Sequence, residues 1–208
     1  MQETNDNATE NSDVSSFTPP RGLEGNPGVT GEIFTESASY FKAGEIILDQ
    51  KTNEELPNLQ RLLDRKPNEW RMDYYSDDKG FLAVERERIE TGKMNEFERE
   101  KFNKEYSMCQ TLAVNNQLVD FLKEVDGRYD ILLNDLPADL KKTKSHNHII
   151  DYARHATRNQ GAEIVVFEFE VMNAKILEKL RYLERRGYKI IYYTTEEKKL
   201  YYINSTPR

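Results

Sequence analysis

The stretch YDILLNDLPADLK, residues 129–141, places Asp130, Asp139 and Lys141 where they could act together. Asp139 and Lys141 are two apart, so on a strand both project from one face while Leu140 points to the opposite layer. Asn134-Asp135 is a turn signal, and a hairpin turning there brings Asp130 across from Asp139. Two carboxylates and an ammonium would then converge at one edge of a sheet. Magnesium, or manganese or zinc in its place, suits such a set, because hard divalent cations take carboxylate oxygens together with water and substrate phosphate. A metal held there can activate a water and offset the charge growing on a phosphorane, and a lysine can stabilise the same charge. That is the equipment of phosphodiester hydrolysis.

A fourth group lies upstream. Phe102, Glu105, Cys109 and Leu112 follow helical spacing, so Glu105 sits on the stripe expected to face the core. A carboxylate there is costly unless it is paired or holds a metal. Lys142 and Lys144 stand beside the Asp-x-Lys segment, where local charge is positive, and are candidates to hold phosphate. His146 and His148 lack a third nearby His or Cys and read as a loop at a helix start. Cys109 reads as a small core residue, and the tyrosines between Tyr188 and Tyr193 read as sheet packing rather than a base-stacking platform. Glu168 and Glu170, on one strand face, are expected to be solvated or paired to lysine.

The elements that must position these residues follow from periodicity. A long helix is predicted from Met94 to Val125, with a break near Asn115-Asn116. Strands follow at Arg128–Leu133 and Leu136–Lys141, then a helix at Ser145–Asn159 closed by Gly161. Ala162–Phe169 reads as a buried strand, Ala174–Arg186 as a helix capped by Gly187, and Tyr188–Thr194 and Leu200–Ile203 as the last strands. The order α-β-β-α-β-α-β-β predicts an α/β fold, a mixed central sheet flanked by helices, over residues 93–208. Upstream, residues 36–92 read as an accessory subdomain. It contains an apolar run at Ala43–Asp49, a helix at Glu54–Arg65 ended by Lys66-Pro67-Asn68, and a hairpin joining Met72–Tyr75 to Gly80–Val84. Residues 1–35, with six acidic residues and one Arg, cannot offset their ordering entropy by burial and read as a disordered acidic leader.

Composition narrows the function classes. The chain has 208 residues and a net charge of −7, against a general nucleic-acid-coating role. From Lys141 onward, however, 14 Lys and Arg stand against 8 Asp and Glu, so a phosphate-binding surface belongs to the C-terminal half. One cysteine allows neither an intrachain disulfide nor a cysteine-rich zinc site. No signal peptide or membrane-spanning run is present in the sequence, which points to no membrane partner.

Glu105, Asp130, Asp139 and Lys141 together resemble the PD-(D/E)XK nuclease superfamily, in which a helix with an acidic residue precedes a hairpin carrying Asp and then Asp/Glu-x-Lys. The nearer resemblance is to the C-terminal tRNase domains of contact-dependent growth inhibition toxins. It is carried by Glu105 with Leu112-Ala113, Tyr129 to Leu132, Ala138 to Lys141, Gln160-Gly161-Ala162 and Val165 to Phe169, and it spans about residues 65–206 with Pro67, Trp70 and Gly80 upstream. Tyr129 stands where the pattern has proline, and Asp139 where Glu is commoner; neither change removes a ligand oxygen. The resemblance implies a PD-(D/E)XK-like sheet and a divalent metal held by Asp130 and Asp139 with Glu105 completing the shell. It further implies Lys141 assisting, Gln160 reaching the substrate, tRNA as that substrate and a cognate immunity protein. A domain of this kind is secreted or delivered into a target cell and acts in its cytoplasm. A DNA endonuclease of a mobile element or repair system, and a catalytically silent phage-associated structural or binding protein, are the alternative readings. Oligomeric state is not legible.

Overall fold

The computed structural model describes residues 58–76 and 80–205; the proposed leader and the apolar run at 43–49 lie outside them. Among the described residues the chain forms one eight-stranded sheet whose strands lie side by side in sequence order. These are β1 (Trp70–Tyr75), β2 (Phe81–Glu85), β3 (Leu118–Phe121), β4 (Ile131–Leu133), β5 (Leu136–Thr143), β6 (Ile164–Phe169), β7 (Lys189–Thr194) and β8 (Tyr201–Ile203). Around it stand α1 (Leu59–Leu63), α2 (Arg86–Thr91), α3 (Glu96–Val114), α4 (Ile149–Arg158) and α5 (Ala174–Arg185). Strands β2 and β3, β5 and β6, and β6 and β7 pair in parallel, and the other neighbours are antiparallel. This is the mixed α/β sheet flanked by helices that the order of elements predicts.

Strand alternation sorts the core into two layers. Leu82, Val119, Ile131, Ala138, Leu140 and Val166 face α3, which contributes Met108, Cys109, Leu112 and Ala113. Val165, Phe167, Phe169 and Ile190 face the other way, onto Ile149, Ala153 and Ala156 of α4 and Ile176, Leu180 and Leu183 of α5. The fully buried β6 reads as a continuous apolar run because helices cover both its faces. The predicted hairpin upstream is present, and β2 pairs with β3, so residues 70–85 extend the same sheet.

One expectation is corrected. The helix predicted to reach Val125 stops at Val114; Asn116 turns into the left-handed region at φ 66°, and the chain returns as β3. Asparagine tolerates that conformation better than most residues. Leu118 and Leu122 therefore belong to the sheet region, not to a helical stripe. Helix α3 is fixed at both ends: the Asn95 side chain accepts from Glu98 N at 2.9 Å, and Gly80 lets β2 approach so closely that a Cβ there would meet Ala113 O at 1.8 Å.

Candidate functional site

The β4–β5 hairpin turns as expected. Asn134 and Asp135 both have positive φ, as a two-residue primed turn requires, and the Asn134 side chain accepts from Leu118 N at 2.9 Å to tie the turn to β3. The two strands are unequal: β4 pairs with β5 only as far as Ile131↔Ala138, whereas β5 continues to Thr143. From Asp139 onward, the edge of β5 that faced β4 is therefore open. Asp130, just before β4, closes its beginning, with Oδ2 accepting from Leu140 N at 2.9 Å. The backbone carbonyl of Asp130 accepts from Leu122 N at 3.1 Å, so the residue is held from two sides.

Asp139 and Lys141 share a face of β5, and Lys141 Nζ stands 2.6 Å from Asp139 Oδ2. Asp139 is fully buried, in register with Val165; beyond the Lys141 ammonium at Oδ2 its carboxylate has no partner, and Oδ1 has none at all. Buried polar atoms are nearly always satisfied, so this carboxylate is an exception that calls for an explanation. Burial pushes its proton affinity up to about 7, with the negative charge of Asp130 adding to the rise and Lys141 opposing it.

Glu105 reaches the same neighbourhood from α3. Burial, then the charge of Asp130, pushes its carboxyl up to about 7, against the pull of Arg88 and Lys101. It is paired: Arg88, buried on α2 with its guanidinium over the Phe121 ring, donates to both Glu105 and Glu124, and Lys101 also donates to Glu124. Sequence reasoning missed Arg88. In RERIET it looks like one more surface charge, and only the packing of α2 against α3 and β2 buries it.

Two clefts meet here and share Lys101. One, of about 530 Å³, runs along the open edge of β5 between α3 and α4; Glu105, Leu140 and Lys141 line it, with Tyr152 and His155 on the α4 side. The other, of about 190 Å³, is lined by Arg88, Glu124, Asp130 and Gln160. Glu105 and Lys141 thus line the first cleft and Asp130 the second, while Asp139 is buried beside Lys141 and lines neither. Of the predicted phosphate binders, Lys142 lines the larger cleft but is bound to buried Glu168 at 2.6 Å, and Lys144 pairs with Glu170 at 2.6 Å away from the clefts. Gln160 lies beside Asp130, its Nε2 donating to Arg128 O at 3.4 Å and its Oε1 buried without a partner. His146 and His148 form a short 3₁₀ turn before α4, and Tyr192 stacks on Tyr201 within the sheet.

Among the described residues no three His, Cys, Asp or Glu side chains form a ready metal cage. Asp130 and Asp139 nevertheless fit a hard cation of the magnesium type, which is commonly held by one or two carboxylates with water and substrate completing its shell. The observation behind that fit is a fully buried carboxylate whose Oδ2 has only the Lys141 ammonium, at 2.6 Å, and whose Oδ1 has no partner. Glu105 is engaged by Arg88 rather than assembled with the other two. Among the described residues no helix is long and apolar enough to cross a membrane.

No family model matches the chain, and no curated protein matches it. Among solved structures it is similar to a CdiA-CT/CdiI toxin and immunity complex from Burkholderia pseudomallei, at TM-score 0.43 and 18% identity over 53% of this chain and 89% of that one.

Proposed function

We propose that the chain is a toxin-type, metal-dependent endoribonuclease that cuts tRNA. The observation that carries the hydrolytic part is the buried carboxylate of Asp139, which stands beside Asp130 at the open edge of β5 with Lys141 on one oxygen and no partner on the other. A fold keeps such a group, at a cost in stability, when a ligand completes it. Asp130 and Asp139 would hold magnesium or manganese, with Glu105 the third candidate ligand. When bound, the metal supplies charge compensation and an activated water. Lys141, beside Asp139 and lining the cleft, stabilises the charge that develops on the phosphate. Asp130, anchored on Leu140 N, keeps the two carboxylates in register.

The choice of tRNA, the toxin role, delivery into a target cell and a cognate immunity protein covering the cleft rest on the sequence resemblance carried by Glu105, Tyr129–Leu132, Ala138–Lys141 and Gln160–Ala162. The test is incubation of the purified protein with total tRNA and with plasmid DNA, in magnesium or manganese, beside Asp139→Ala and Lys141→Ala. Metal-dependent tRNA cleavage that both substitutions abolish is expected. DNA cleavage would move the substrate; no cleavage of either would end the nuclease reading.

A further inference from the structure

The larger cleft carries a feature that the hydrolytic chemistry leaves unused. Phe97, in the first turn of α3, is 72% exposed and lines the cleft. The same helix buries Met108, Cys109 and Leu112 further along, so Phe97 stands apart from its core-facing residues. The same cleft is lined by a second ring, Tyr152 of α4, whose centroid lies 5.7 Å from that of His148. Met108 and Leu140 add apolar lining, and Lys104, exposed and without an ion-pair partner among the described residues, stands on the α3 side. Lys141 of the proposed hydrolytic set lines the same space.

We infer that this cleft is a nucleobase-stacking subsite: Phe97 and Tyr152 offer their ring faces to an unpaired base of single-stranded or looped RNA while Lys104 holds a neighbouring phosphate. The inference rests on the nuclease reading and deepens it, since a base received here places its backbone next to Lys141 and Asp139. Three features fit this occupant. Aromatic faces flanked by cations are how proteins hold single strands, because every base has a π-face and every nucleotide a phosphate. A volume of about 530 Å³ is within the range of small-molecule pockets and suits a nucleotide rather than a duplex. Looped RNA can present an unstacked base without first opening a helix.

The test is binding of a fluorescent single-stranded RNA dodecamer to the full chain in EDTA, so that binding is read without turnover. The same sequence as a blunt duplex and the same strand with abasic positions serve as comparisons. The expected result is preference for the base-bearing single strand, weakened roughly ten-fold in Phe97→Ala and in Phe97→Leu and retained in Phe97→Trp. Abasic RNA should bind parent and Phe97→Ala alike. Lys104→Ala should reduce the slope of log affinity against log salt by about 0.7, which Phe97→Ala should leave unchanged. Because Phe97 is exposed, a melting curve matching the parent's is expected for its variants. Equal binding of single strand and duplex, equal binding of abasic and base-bearing strands, or an unaffected Phe97→Ala would each overturn the subsite. Loss of a protein partner's binding in Phe97→Ala, with RNA binding intact, would reassign the ring to a protein contact. Stacking without metal-dependent cleavage would defeat the nuclease reading alone; cleavage undiminished in Phe97→Ala would defeat the subsite alone.

Discussion

Buried carboxylates on the sheet fall into two kinds. Asp120 on β3 and Glu168 on β6 are each nearly sealed from water, and each is answered in full. Asp120 accepts from Arg65 at 3.0 and 2.6 Å and from Arg61 at 3.0 Å; Glu168 accepts from Lys142 at 2.6 Å, Thr195 at 2.8 Å and Tyr193 at 3.2 Å. Asp139, on the strand between them, is equally buried and has only Lys141 beside one oxygen. The same chemical group at the same depth is a structural fastener in two places and an unsatisfied charge in the third. Burial alone therefore does not mark a site; what sets Asp139 apart is burial with one oxygen left without a partner, next to Lys141, which lines a cleft.

The largest effect that would sharpen this contrast concerns Lys141 against Lys142. Lys141→Ala should lower the rate of tRNA cleavage by roughly 10²–10³-fold, the scale of removing one charge-stabilising donor, and should also lower the melting temperature in EDTA, because it strips the buried Asp139 carboxylate of its ion-pair partner. A steady-state assay and a thermal melt check both halves. Next, Asp120→Asn should lose about 3 kcal/mol of unfolding free energy, read by urea denaturation; this is the low end for breaking a buried pair, because Arg61 and Arg65 keep some contact with water. Lys142→Met should cost about 1 kcal/mol in the same experiment, since Tyr193 and Thr195 still serve Glu168, and should leave cleavage within a few-fold.

How far the sequence shows this contrast differs by residue. The Asp139-x-Lys141 face and its turn are legible because strand alternation and the Asn134-Asp135 pair are local rules. Strands β6 and β7 are legible for a different local reason: each is a short run of β-branched and aromatic residues that follows a glycine-ended helix. Strand β3 is not: it is four residues long, carries Asp120, and continues the apolar spacing of α3, so Asn115-Asn116 looks like a flaw in one helix rather than its end. What makes Asp120 tolerable is a pair of arginines 55 and 59 residues earlier. Glu105 shows its position on the core-facing stripe but not its partner, because Arg88 becomes a buried residue only through tertiary packing.

The smallest expected effect is a pH dependence. Burial and the charge of Asp130 raise Glu105 and Asp139 from ordinary carboxyl values to about 7, so between about pH 4 and 7 the native state holds protons that the unfolded chain has released. Their contribution to stability is then fully present below the ordinary carboxyl range and is lost as pH rises to about 7. Melting temperatures in EDTA, compared with a Glu105→Gln/Asp139→Asn double variant, should show the parent falling relative to the variant across that window by a few degrees. Magnesium should restore more stability at pH 8 than at pH 5.5, because it competes with those protons.

The most direct measurement is the thermal stability of Asp139→Asn with and without magnesium, alongside its cleavage of tRNA. If Asp139 is an unsatisfied charge awaiting a cation, the variant melts above the parent in EDTA, gains nothing from magnesium and cuts no tRNA. If it melts below the parent, as Asp120→Asn should, and still cleaves, then Asp139 is another fastener and the site lies elsewhere.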